Sequence, residues 1–240
     1  MVSDDVTREA GAPRFGLVVC DMAGTTVADD GLVERAFDAA AEASGITAGS
    51  PRHREMRAYV LATMGQSKIA VFRDLFGDEE RARAANRAFE KAYAELVGEG
   101  LCAPLPGAEE ALRTLRAQGR RVVLTTGFAP ATRDALLEAL GWHGLADLVL
   151  SPADAGRGRP FPDLVLTAFL RTAAVPAVDR VAVAGDTRSD VLSARRAGAG
   201  LAVGVLTGAH DRAALEEAGA HRVLPSVAGL PALLRAEESG

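Results

Sequence analysis

Phe15-Gly-Leu-Val-Val-Cys-Asp21-Met-Ala23-Gly24-Thr25-Thr26 is the stretch on which the fold turns. Its apolar run, residues 16–20, suits a strand buried on both faces of a parallel sheet. Asp21 comes where that strand would end, at the rim where open α/β sheets receive their ligands. Gly24 admits close approach of the backbone to a ligand, and Thr25 supplies a hydroxyl. Standing alone, the same residues also read as a strand and an ordinary turn. The rest of the chain decides between the two.

Downstream, helical periodicity covers residues 33–44, 51–64, 67–76 and 79–97, with no strand signal between about 31 and 100. Gly98-Glu-Gly-Leu-Cys-Ala-Pro-Leu-Pro-Gly107 then forms a Gly/Pro hinge. Beyond it, strands at 121–126, 148–150, 181–184, 201–206 and 222–224 alternate with helices at 108–118, 131–140, 163–172, 190–198, from 211 and from 227. Residues 151–162 read as a loop. Such alternation predicts an α/β fold, a Rossmann-like parallel sheet core with an inserted helical cap domain. Residues 1–30 and 101–240 would form the core and 31–100 the cap.

Composition narrows the function. The 240 residues can bury a sizeable core, and net charge −5 without a basic cluster argues against nucleic acid. No run of apolar residues is long enough to span a membrane, and residues 1–14 lack a basic-then-apolar signal pattern. A cytoplasmic protein is expected. Cys20 and Cys102 sit in apolar settings and read as thiols. Positive charge is carried by 25 Arg against two Lys. Lys91 fits the polar face of a helix; Lys68 has a different neighbourhood.

Four strand ends carry polar groups. The first ends at Asp21, and the second in Thr125-Thr126-Gly127-Phe128, where a hydroxyl and backbone N–H groups could hold an anion. The loop after the third carries Gly156-Arg-Gly-Arg159-Pro-Phe-Pro162, and the fourth ends in Gly185-Asp186-Thr187-Arg-Ser-Asp190. In a parallel sheet these ends share one rim. Carboxylates there can bind Mg²⁺, while the hydroxyl, amides and Arg159 bind phosphate oxygens. Singly, Thr126 and Asp190 also read as helix caps, Asp186 as a turn residue and Arg159 as a surface charge.

The order Asp-x-x-Gly-Thr, a hydroxyl after strand two, a basic Gly-Arg-Pro loop and Gly-Asp-Thr-x-x-Asp resembles the haloacid dehalogenase superfamily over nearly the whole chain. The resemblance implies that Asp21 attacks phosphorus to form an aspartyl-phosphate. It implies Mg²⁺ held by Asp21, the Ala23 carbonyl and Asp186, with Asp190 in support. Phosphatases of this superfamily carry an aspartate two residues after the nucleophile as general acid; here it is Ala23. A phosphate ester would lose about 10²–10⁴ in rate without it.

Asp21-Met-Ala-Gly-Thr-Thr-Val27 resembles the phosphonatase (phosphonoacetaldehyde hydrolase) branch and its phosphonatase-like relatives, as does arginine at 159. Their Met-Gly-x-x-Lys cap segment is matched by Met64-Gly65-Gln66-Ser67-Lys68. By that resemblance Lys68 condenses with an aldehyde or ketone, so that C–P cleavage releases an enamine that needs no acid at position 23. Met64 and Gly65 would line the substrate, with Thr126, Gly127 and Arg159 on the phosphonate. An Arg could not serve as the amine because it stays protonated. Burial and the start of a helix near Gly65 would lower the Lys68 pKa.

Two positions depart from the branch: Val71 stands where phosphonatases have histidine, and Phe128 where they have tyrosine. Of the four histidines, His53 reads as a surface residue of a cap helix. The expected activity is hydrolysis of a 2-oxo-alkylphosphonate, with Mg²⁺-dependent phosphate-ester hydrolysis and non-catalytic phosphometabolite binding as the alternatives. The partner is then a small phosphonate or phosphate, and a homodimer through the cap follows by analogy.

Overall fold

Runs such as Leu17–Asp21 and Leu201–Val205 are buried along their whole length, as inner strands of a covered parallel sheet are. The computed structural model, which describes residues 13–239, contains six strands. They are β1 (Leu17–Asp21), β2 (Arg121–Thr125), β3 (Leu148–Leu150), β4 (Val181–Gly185), β5 (Leu201–Val205) and β6 (Arg222–Leu224). All pair in parallel, in the order β3-β2-β1-β4-β5-β6. Asp21 lies opposite Thr125 and Cys20 opposite Ala184, so the ends of β1, β2 and β4 adjoin on one rim. The first strand begins and ends one residue later than its apolar run, because Asp21 keeps the ladder register with β2.

Between β1 and β2 come α1 (Leu32–Ala43), α2 (Pro51–Ala62), α3 (Lys68–Phe76) and α4 (Glu79–Gly98), the inserted helical cap region, followed by α5 (Ala108–Ala117). The later helices are α6 (Pro130–Leu140), α7 (Pro152–Ala155), α8 (Asp163–Thr172), α9 (Arg188–Ala197), α10 (Arg212–Glu217) and α11 (Leu230–Ser239). Strand alternation splits the core. Leu17, Val19, Val123 and Val181 meet α8 and α9 through Leu164, Val165 and Val191. Val18, Cys20, Val122 and Leu124 belong to a second layer with Leu112, Leu115 and Leu136 that runs on into the cap. There the Phe37 ring packs tilted at 4.9 Å from Phe72 and 4.7 Å from Phe89, and Phe128 joins them 6.2 Å from Phe89.

The two segments that connect cap and sheet pair with each other. Ala28 N donates to Ala103 O at 2.9 Å and Leu105 N to Thr26 O at 3.0 Å. Asp30 and Gly31 both take positive φ, 42° and 77°, to turn the chain into α1.

Three local expectations are corrected. The stretch 151–162 is not all loop: Ser151 and Asp154 form a capping box that starts the single turn of α7. The helix after β4 begins at Arg188, because Thr187 rather than Asp190 is its N-cap. His53 is buried at 8% exposure, with Nε2 3.1 Å from Asp38 Oδ1 and Nδ1 accepting from Gly49 N, so it holds α2 to α1. Lys91, by contrast, is solvated on α4. Cys20 is buried, its thiol pushed up to about 12 by burial, and Cys102 is half-buried; both are free thiols. No helix among the described residues is long and apolar enough to cross a membrane. The reading of residues 1–14 as lacking a signal pattern falls on positions that, up to 12, lie outside the described residues.

Candidate active site

The loop after β1 is folded by its own small residues. Thr25 and Thr26 N–H groups converge on Met22 O, and Thr26 Oγ1 donates to Asp21 O at 2.9 Å. Gly24 has φ +83°, and a Cβ there would run into the Asp186 carboxylate. Thr25 Oγ1 donates to Asp186 Oδ1 at 2.9 Å, while Ala209 N donates to Asp186 Oδ2 at 2.8 Å. Asp190 is both a cap and a site residue. Its Oδ2 accepts from Thr187 N at 3.0 Å, and its Oδ1 accepts from Arg159 Nη1.

Asp21, Asp186 and Asp190 are all buried, with carboxylate oxygens within 4.8 Å of one another. Burial drives the Asp21 carboxyl well above the usual range; Arg159 pulls it down, and the two other aspartates push it up again. Asp186 is pushed up to about 6 by burial and then by Asp190. Three buried carboxylates against one guanidinium leave an excess of negative charge that a hard cation with oxygen ligands relieves. The Ala23 carbonyl, at the same loop, accepts no hydrogen bond from the described residues. This donor set fits Mg²⁺.

Arg159 is not a surface charge. It is 5% exposed, its Nη1 lies 2.6 Å from Asp21 Oδ1, and its buried Nε has no partner. On the β2 side, Thr126 Oγ1 accepts from Phe128 N at 3.2 Å, and Ala129 N is taken by Glu90 Oε1 at 3.2 Å. The anion-binding groups foreseen there therefore reduce to the Thr126 hydroxyl proton and the Gly127 N–H, because the Thr126 oxygen takes the Phe128 amide and Glu90 of the cap helix α4 takes that of Ala129.

A cavity of about 550 Å³ joins these groups to the cap. Asp21, Thr126, Arg159 and Asp186 line it from the sheet, and Met64, Gly65 and Lys68 from the insertion. Lys68 is 6% exposed, not a solvated helix residue, and opens α3 behind Ser67. Its Nζ stands over the rings of Phe37, Phe89 and Phe128 at 5.7, 5.9 and 5.4 Å, and no carboxylate lies within ion-pair reach among the described residues. Burial lowers its pKa to about 8, against the opposing pull of Asp29.

Val71 and Phe128 are both buried at 2%, so the polar positions they replace are apolar here. The lysine is held in place by a seam where Gly65, Gly127 and Gly158 allow close approach. Lys68 N donates to Gly127 O at 3.3 Å. A Cβ on Gly127 would come 2.6 Å from Gln66 O, and one on Gly158 2.7 Å from Ser67 Cβ. Gly65, at φ +81°, lies against Thr187 in the same way.

Among the cavity residues that escaped the sequence reading are Asp29, Asp30, Glu34, Thr207 and His210. Thr207 and His210 follow β5, whose end lies on the same rim; the rule that picked out the other four strand ends points to them too. Asp29 carries no motif, and only the fold of the connecting segment turns it inward.

A family model described as haloacid dehalogenase-like hydrolase matches residues 15–198. The probable phosphatase IndB of Dickeya dadantii is 32% identical over 208 residues, 84% of this chain and 86% of that protein. The phosphonoacetaldehyde hydrolase of Parabacteroides distasonis is 29% identical over 157 residues, 55% of this chain and 58% of that protein. Among solved structures, a hydrolase from Pseudomonas syringae superposes with TM-score 0.79 at 27% identity, covering 92% of this chain and 98% of that one.

Proposed function

The chain belongs to the haloacid dehalogenase-like hydrolases, and we propose that within that family it cleaves the C–P bond of a 2-oxo-alkylphosphonate. One observation carries this reading. The only lysine in the cavity is buried among three aromatic rings, with no ion-pair partner among the described residues and its pKa lowered to about 8. A substantial neutral fraction near physiological pH is what imine formation needs.

Asp21, the Ala23 carbonyl, Asp186 and Asp190 would hold Mg²⁺, which when bound supplies neutralisation of charge between a carboxylate nucleophile and a phosphoryl group. Thr126, Gly127 and Arg159 bind the phosphonate oxygens and set its phosphorus before Asp21. The neutral amine of Lys68 adds to the substrate carbonyl, and loss of water gives the iminium. Asp21 Oδ then forms a bond to phosphorus as the C–P bond breaks, and the electron pair of that bond moves into the iminium as an enamine. Because that leaving group needs no proton as it departs, Ala23 costs nothing. Water releases phosphate from Asp21 and the carbonyl product from Lys68.

A second reading, hydrolysis of a small phosphate ester, is favoured by the comparisons, since a relative matched at 32% identity over most of both chains is named a probable phosphatase. It uses the same Asp21 and cation site and gives Lys68 no covalent role. Borohydride trapping with phosphonoacetaldehyde and Mg²⁺, with phosphate release followed in parallel, separates the two. A reduced adduct on Lys68 with phosphate release supports C–P cleavage. Turnover of phosphate esters that is indifferent to Lys68→Ala supports the second reading.

A further inference from the structure

We propose that Asp29 is the acid–base group of the Lys68 imine cycle, donating the proton that expels hydroxide from the carbinolamine and recovering one when water returns to the iminium. This rests on the C–P reading above. Imine formation stalls without a proton donor for the departing oxygen, and the cavity offers few. The positions that could have supplied one beside the lysine, Val71 and Phe128, are apolar and buried.

The other carboxyls around the cavity are engaged or exposed to solvent. Asp186 is held by Thr25 and Ala209 N, and Glu34 is tied to Arg57. Asp30 is exposed, and Glu90 is bonded to Ala129 N and Thr132 on α6. Asp21 is committed to phosphorus.

Asp29 remains. It lines the same cavity as Lys68, and it is the strongest electrostatic influence on that amine, ahead of Arg159, Asp21 and Glu90. Its Oδ1 accepts from Val33 N at 3.3 Å, and its Oδ2 accepts nothing from the described residues. Lys68 forms no ion pair with it, and the two side chains line one cavity of about 550 Å³. Burial raises the Asp29 pKa, against the opposing pull of Lys68 and the Val33 amide.

The proton count closes. Lys68 Nζ bonds to the carbonyl carbon and its proton passes to the oxygen, giving a neutral carbinolamine. Asp29 gives its proton to that hydroxyl, which leaves as water, and a carboxylate then faces the iminium cation. C–P cleavage gives the enamine, which takes a proton at carbon from solvent. Water attacks the resulting iminium, Asp29 accepts the proton of that water, and collapse of the carbinolamine frees Lys68.

The test is time-resolved borohydride trapping on the full chain with Mg²⁺ and, separately, phosphonoacetaldehyde and 2-oxopropylphosphonate, read as adduct on Lys68 by peptide mass spectrometry. Asp29→Asn is expected to slow trapping by about 10²-fold or more, and Asp29→Glu to recover part of the loss. The pH profile of wild-type trapping should lose its Asp29-dependent limb in Asp29→Asn, whose rate should simply rise and level off as Lys68 deprotonates. The charged and titratable groups facing Asp29 in that profile are Lys68, Asp30, Glu34 and Tyr93. Acetylation of Lys68 by acetic anhydride should be unchanged or faster in Asp29→Asn, because removing the carboxylate lowers the lysine pKa further. Slowing of both reactions would reduce Asp29 to a structural role and overturn the proposal. Trapping at the wild-type rate in Asp29→Asn would overturn it and leave the imine standing. No adduct in the wild type with either probe would overturn the imine reading and this role with it.

Discussion

Arg159 Nη1 lies 2.6 Å from Asp21 Oδ1, and both side chains are buried at the end of β1. The same guanidinium reaches Asp190, so one cation holds together a site that would otherwise contain only like charges. Removing one member of such a buried set leaves an uncompensated charge, typically at a cost of about 3–5 kcal/mol.

Arg159→Ala should therefore unfold at lower temperature than the wild type in EDTA, and Mg²⁺ should recover more of the loss in the variant than it adds to the wild type. Thermal scans with EDTA and with Mg²⁺ check this. Equal Mg²⁺ shifts in both proteins would mean that the three aspartates do not share the cation.

Lys68 is buried with its pKa lowered from 10.5 to about 8, so between those values the unfolded chain binds a proton that the folded one does not. Stability then rises with pH across that window and is lowest below it. Lys68→Met should abolish C–P cleavage yet stabilise the protein at pH 7 by up to about 3 kcal/mol, the gain shrinking as pH rises toward 10.5. Urea unfolding at pH 7 and pH 9.5 measures it.

Ala23 stands in the Asp21 loop and lines the cavity, where an aspartate would face a leaving group. Ala23→Asp should raise turnover of p-nitrophenyl phosphate or an alkyl phosphate, the alkyl ester gaining more, by roughly 10² or more. Steady-state phosphate release compares the two esters; equal gains would count against an acid role for the new carboxyl.

Gly158 leaves room for Ser67, one residue before Lys68. Gly158→Ala should push α3 outward and lower kcat for a 2-oxophosphonate roughly tenfold to a hundredfold. The Mg²⁺-induced shift in unfolding temperature should stay at its wild-type size, since Asp21, Asp186 and Asp190 keep their own contacts.

Much of this was legible in the chain. Apolar runs ending in Asp21, Thr125 and Gly185 gave the strands, because a strand covered on both faces must be apolar throughout, and the parallel alternation put their ends on one rim. Met64-Gly65-Gln66-Ser67-Lys68 singled out the lysine by motif and by its rarity in an Arg-rich chain. Helix α7 and the start of α9 were missed because their capping boxes are made by Ser151 with Asp154 and Thr187 with Asp190, side-chain bonds that periodicity does not register.

The sequence by itself determined the order of elements and which side chains could do chemistry, since both follow from local pattern and residue type. Only the tertiary structure decided their states. Lys68 is a different base in water than under Phe37, Phe89 and Phe128, and Asp29 becomes part of the site only where the connecting segment folds it into the cavity. His53 becomes a buried tie to Asp38 for the same reason. Burial and charge proximity are sums over residues distant in the chain, and no local pattern contains those sums.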